Sequence, residues 1–137
     1  MFSFLKRLPL HKLVAADGGE AAQRVLEGIL RELPELLLAC VVEVLSGKIL
    51  ASYTTHPSLN PNHLSLRYAK LLRTVPAAAW GGNLLLDMTL VLEDQLHYLR
   101  LLHADEWYCL VAVHTAESNL ALTQKVVRRY TNNEPSL

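Results

Sequence analysis

The 137-residue chain has two cysteines, no net charge and no apolar run long enough to cross a membrane. Each shortage excludes something. Cys40 and Cys109 both sit inside apolar runs, so they read as small core residues and supply no disulfide framework. Thirteen basic residues balance thirteen acidic ones, so no global field recommends nucleic acid or an anionic membrane as a partner. A spanning helix needs about 20 consecutive apolar residues, and the greasiest run, residues 36–42, stops at Glu43. The start of the chain, "MFSFLKRLPLHKL", is not ordered as a secretory signal, because its charges follow the first apolar residues and Pro9 breaks the run. Cytoplasm is the expected location, with no integral membrane segment. No internal repeat or low-complexity segment is evident. What the chain does have is apolar residues, 51% against 19% charged, more than an average soluble domain. A small neutral chain of that kind is expected to hide part of its surface by self-association.

Periodicity divides the chain into a short series of elements. Val25, Leu26, Ile29, Leu30 and Leu33 repeat at helical spacing over residues 20–33, between a start signal at Asp17-Gly18-Gly19 and a stop at Pro34. Residues 35–45 are too short and too rich in valine and leucine to read as another helix. With the Ser46-Gly47 turn and "KILASYT" they form a hairpin. Asn60-Pro61 opens a second helix, as cap and first position, and Leu64, Tyr68, Leu71, Leu72 and Val75 form its stripe. Pro76 and Gly81-Gly82-Asn83 end that pattern. Three strands follow, "LLLDMTLVLE", "LHYLRLLH" and "WYCLVAVH", separated by Asp94-Gln95 and residues 104–106. A last helix over residues 118–130 places Leu120, Thr123, Val127 and Tyr130 on one face. The expected organisation is a tail at 1–18, one domain at 19–131 and a disordered tail at 132–137.

The order αββαβββα, one hairpin and then three strands in consecutive hairpins, predicts an α+β fold. In "LLLACVV" and "CLVAV" the inside–outside alternation nearly vanishes, so helices are expected on both faces of the sheet. The third strand is the exception, with Asp87, Thr89, Val91 and Glu93 alternating against Met88, Leu90 and Leu92.

The hairpin "ACVVEVLSGKILAS", the strand "CLVAVH" and the helix "AESNLALTQKVVRRY" together resemble the roadblock family of dynein light chain-like and bacterial GTPase-regulator domains. Gly47, Ile49, Ala51 and Ser52 match its turn glycine and Ile-Ala-Ser strand, and Asn119, Leu120 and Leu122 match its Asn-Leu-x-Leu helix start. Leu45-Ser46 stands where the family often has Asp or Asn before the glycine. The resemblance implies a profilin-like arrangement, a five-stranded antiparallel sheet with the middle helix on one face and the terminal helices on the other. It implies a homodimer through edge-to-edge third strands and packed middle helices. It further implies a non-catalytic module, without cofactor, that binds and regulates or scaffolds a Ras-like small GTPase. A structural adaptor subunit of a larger complex and a small-ligand sensor are the alternatives. On these grounds Leu66, Ala69, Arg73, Trp80, Asp87, Thr89, Val91 and Glu93 are the candidate dimer interface. Lys125, Arg128 and Arg129, which also meet the dipole of the last helix, are the candidate partner-docking patch.

A search for chemistry is unproductive. His97 and His103 share a strand face but are six residues apart, about 20 Å. His56 and His63 flank a loop without a cysteine or carboxylate at ligand spacing. "SGK" lacks the phosphate-loop context and precedes a strand. Cys40 and Cys109 have no activating base in view, and no G-x-S-x-G elbow exists. A ligand pocket would need polar groups inside the core, and the strands offer only Thr89, Tyr98 and Tyr108. Neither an enzyme nor a metal protein is expected.

Overall fold

A computed structural model describes residues 12–75, 77–102, 106–116 and 119–132. Helix α1, Glu20–Glu32, buries Ala22, Leu26, Ile29 and Leu30. It ends where the Leu33 N–H closes on the Ile29 carbonyl and Pro34 cannot continue. Strands β2, Leu38–Glu43, and β3, Ile49–Thr54, form the expected hairpin. Its turn is longer than a two-residue one: Glu43 N–H bonds to Lys48 O, and Gly47 takes φ +76°, which a side chain would strain. One residue, Leu50, is bulged out between the pairs Val41–Ala51 and Val42–Ile49. Glu43, the last residue of β2, is half-buried and accepts a hydrogen bond from Ser46 Oγ.

Helix α2, Pro61–Thr74, starts as predicted, with Asn60 Oδ1 accepting the Asn62 N–H at 2.9 Å. A 3-10 turn, Ala77–Trp80, follows. Strands β4, Asp87–Val91, β5, Gln95–Leu102, and β6, Trp107–His114, form consecutive hairpins, and α3, Leu120–Asn132, closes the fold. The β4–β5 turn is Glu93-Asp94, one residue earlier than read from sequence, because Leu92 N–H bonds to Gln95 O.

Among the described residues the sheet has six antiparallel strands in the order β1-β3-β2-β6-β5-β4, not five. The additional strand, β1, is only Val14–Ala15, paired with Ser52 and Ala51, inside the stretch read as a tail. Two residues carry no periodicity, so no pattern announces them. They form a strand because the outer edge of β3 has backbone groups to satisfy, and the Ala16 N–H extends the pairing to Leu50 O at 2.9 Å. The rest of that expected tail, residues 1–11, and residues 133–137 of the other lie outside the described residues.

Both sheet faces are covered, as the missing alternation requires. Ala39, Val41, Tyr53, Tyr98, Cys109 and Val111 point to α1 and α3, against Leu26, Ile29, Val126 and Val127. Leu38, Cys40, Leu99, Tyr108 and Leu110 point the other way, to Tyr68 and Ala69 of α2. No described helix is long and apolar enough to cross a membrane.

Candidate interaction surface

The two faces are not covered equally. Helix α2 packs over β2 and β3 and reaches β5 chiefly through Tyr68, whose hydroxyl lies 2.7 Å from His97 Nδ1. Leu64 and Leu71 share that stripe, four residues before and three after Tyr68. Beyond it, Met88, Leu90 and Leu101 are only half-buried on the sheet. Among the described residues, no strand lies beside the outer edge of β4. Around it stand Leu84, Leu86 and Val91, 73%, 58% and 72% exposed, with Trp80 and Leu92 also accessible. Trp80, Leu84 and Leu85 close one side of a groove of about 170 Å³ whose other walls are Leu72, Val75 and Leu101. An unpaired strand edge in a field of exposed leucines is a surface that favours cover.

The eight candidate interface residues divide into four groups. Trp80, Val91 and Glu93 are exposed along the open side. Leu66 and Arg73 are on the opposite flank of α2, over the hairpin: a Cβ on Gly47 would sit 2.7 Å from Leu66 Cδ2, and Arg73 Nη1 donates to Val44 O at 2.7 Å. Ala69, expected outside the buried stripe, is fully buried. The reason is steric, since α2 crosses the hairpin turn at Gly47 and only a small residue fits there.

Asp87 and Thr89 face α3. Asp87 Oδ2 accepts from Tyr98 Oη at 2.6 Å, Arg128 Nη2 at 3.0 Å and Arg100 Nη1 at 3.3 Å. Burial works to raise the Asp87 carboxyl, but the Tyr98 and Arg128 hydrogen bonds and the two cations outweigh it, and its pKa is lowered. The same cluster pushes the Tyr98 phenol up to about 12, through burial first and the Asp87 bond second. Gln124 Nε2 reaches Thr89 Oγ1 at 3.5 Å. The three candidate docking residues on α3 thus differ: Lys125 is exposed, Arg128 is tied to Asp87, and Arg129 is tied to Glu32, which also accepts from Tyr130 Oη.

Cys40 and Cys109 are fully buried, and burial pushes both thiols up, Cys109 to about 12. His56 and His114 meet edge to face at 6.1 Å, while His103 lies outside the described residues. No group of three or more metal-ligating side chains forms among the described residues.

Sequence reasoning missed His97, which is buried between Tyr68 and Gln95. Gln95 Oε1 accepts, so Nε2 carries the proton and Nδ1 accepts from Tyr68 Oη. Desolvation lowers the His97 pKa below its usual 6.5. The unfolded chain therefore takes up a proton that the folded chain refuses, and His97 makes stability fall as pH drops below about 6.5. Urea titrations between pH 7.5 and 5.5 are expected to show this loss, and His97→Gln is expected to flatten it.

No family model matches the sequence, and no curated protein matches it significantly. Solved structures do. The chain superposes on Myxococcus xanthus MglB with a TM-score of 0.73 at 11% identity, covering 87% of this chain and 88% of that one. An MglB structure described as having a tetrameric arrangement gives 0.68 at 14% identity, over 82% and 85%. A Roadblock/LC7 domain from Streptomyces avermitilis gives 0.65 at 13% identity, over 80% and 90%. At such identities the likeness is one of fold.

Proposed function

We propose that this chain, which has the roadblock/LC7 fold, is a self-associating, non-catalytic module that binds and regulates or scaffolds a Ras-like small GTPase. The observation that carries the reading is the open β4 edge with its rim of Trp80, Leu84, Leu86 and Val91. A catalytic site needs converging polar groups in a cleft, whereas this edge offers backbone donors and acceptors and apolar area, which suit a protein partner. Two copies joined edge to edge across a two-fold axis normal to the sheet would carry both α2 helices on one face and both α1–α3 pairs on the other. The naming of one similar structure as a tetrameric MglB arrangement supports self-association. The GTPase partner follows from the family resemblance, and Lys125, Arg128 and Arg129, all exposed on α3, are the proposed docking cations.

The test uses the small GTPase encoded nearest the gene. Addition of the chain is expected to change its GTP hydrolysis or nucleotide exchange rate at least about tenfold, the scale of a modest binding-energy difference between two states. No binding and no change in either rate would leave this reading without a partner.

A further inference from the structure

All thirteen carboxylates of this neutral chain lie outside residues 44–86. That stretch contains β3, α2 and the 3-10 turn. It carries Lys48, Arg67, Lys70 and Arg73, all exposed, three on α2 and Lys48 in the hairpin turn beneath it. Among the described residues none of the four pairs with a carboxylate. Exposed Leu66 and Leu71 stand among them, and exposed His63 adds a fifth basic side chain. Glu43 does not neutralise the face, because it shares strand parity with Ala39 and Val41 and so belongs to the α1–α3 side. Glu106, exposed just before β6, is the carboxylate at the hairpin end.

We propose that this α2 face is an electrostatic contact surface for an anionic lipid bilayer. Net charge does not oppose this. At physiological ionic strength potentials decay over about 8 Å, so a flat anion beneath α2 responds to the cations there and not to the acids on α1 or the β4–β5 turn. The shape favours lipid over a folded partner. The cations crown a convex helix, and the depression that His63, Leu66, Arg67 and Lys70 line is wide and open to solvent, with no enclosed pocket for a partner's anchor side chain. A bilayer needs no matched relief, and Leu66 and Leu71 offer apolar tips at the headgroup boundary. The face belongs to one chain, so it does not rest on the proposed self-association, although edge pairing would double it.

The test is co-sedimentation of the full chain with vesicles of phosphatidylcholine, with or without about one-third phosphatidylglycerol. Binding is expected only to the anionic vesicles, and is expected to be lost near 0.5 M salt, where the screening length falls to about 4 Å. Each cation near such a surface strengthens binding about fivefold. Arg67→Gln/Lys70→Gln is therefore expected to weaken binding about 25-fold with an unchanged melting curve, since both side chains are exposed. Equal binding to neutral vesicles, or undiminished binding of the double variant, would overturn the proposal. Binding to a poly-glutamate peptide or a DNA duplex with none to vesicles would overturn it as well, and would reassign the face.

Discussion

Asp87→Ala is expected to cost about 3 kcal/mol of stability, at the lower end for breaking a buried ion pair. The cost lies in what is left behind. Arg100 has 13% of its side chain exposed, and its Nε has no hydrogen-bond partner, so Asp87 and Asn132 together hold the guanidinium. Without the carboxylate, a charge on β5 is held mostly out of water against the α3 side of the sheet. Arg128, nearly half exposed, is easily resolvated and contributes little. Asp87→Leu combined with Arg100→Met should recover most of the loss, since no orphaned charge remains. Urea unfolding of the two variants measures both effects, and equal destabilisation by them would contradict the assignment. The pH dependence has a definite sign. The folded pKa of Asp87 lies below its usual 3.8, so its stabilisation is present above that value and disappears as pH falls through the lower folded one.

Gly19→Ala is expected to be as damaging, about 3 kcal/mol or roughly 10 °C in Tm. A Cβ at Gly19 would lie 2.4 Å from the Leu50 carbonyl oxygen and 2.9 Å from that of Ala16. Both are backbone atoms tied into the β1–β3 connection, where Ala16 N–H bonds to Leu50 O and Gly19 N–H to Ala16 O. Neither can retreat without unpairing β1. Gly28→Ala is the useful contrast. Its Cβ would press on the Tyr130 ring, so Tyr130 must shift at the expense of its bond to Glu32, but no backbone pairing is lost and alanine recovers about 1 kcal/mol of helix propensity. Thermal melts are expected to rank Gly19→Ala well below Gly28→Ala. The reverse order would mean that the β1 connection yields more readily than the α1–α3 contact.

The residues that made the fold legible were those whose periodicity reports burial. The runs "LLLACVV" and "CLVAV" required two covered faces, and Asn60-Pro61 fixed where α2 begins; both hold. Strand β1 was illegible because two residues have no period, and its cause lies in the needs of β3. Ala69 was misplaced because the path of α2 over Gly47 is tertiary. The polar pairs were readable only in part. Arg100 in the middle of an apolar strand was a visible anomaly, and its register partner in the hairpin is Asp87. Glu32 with Arg129 and Tyr130, and Tyr68 with His97, join residues far apart in sequence, and no local pattern brings them together. Of the candidate interface residues, Trp80, Val91 and Glu93 lie exposed along the open β4 side, whereas Leu66 and Arg73 lie over the hairpin. Helical spacing alone did not say which flank of α2 faces the hairpin.

The central claim is that the open β4 edge and its apolar rim join two copies of this chain. Multi-angle light scattering at micromolar concentration tests it most directly, comparing the chain with a Leu86→Lys/Val91→Lys variant. Both substituted residues are largely exposed, so the variant is expected to fold, while edge lysines oppose strand pairing. The account predicts a mass of twice 15.3 kDa or a multiple of it for the unaltered chain, and 15.3 kDa for the variant. An unaltered chain at 15.3 kDa, or a variant that still associates, would contradict it.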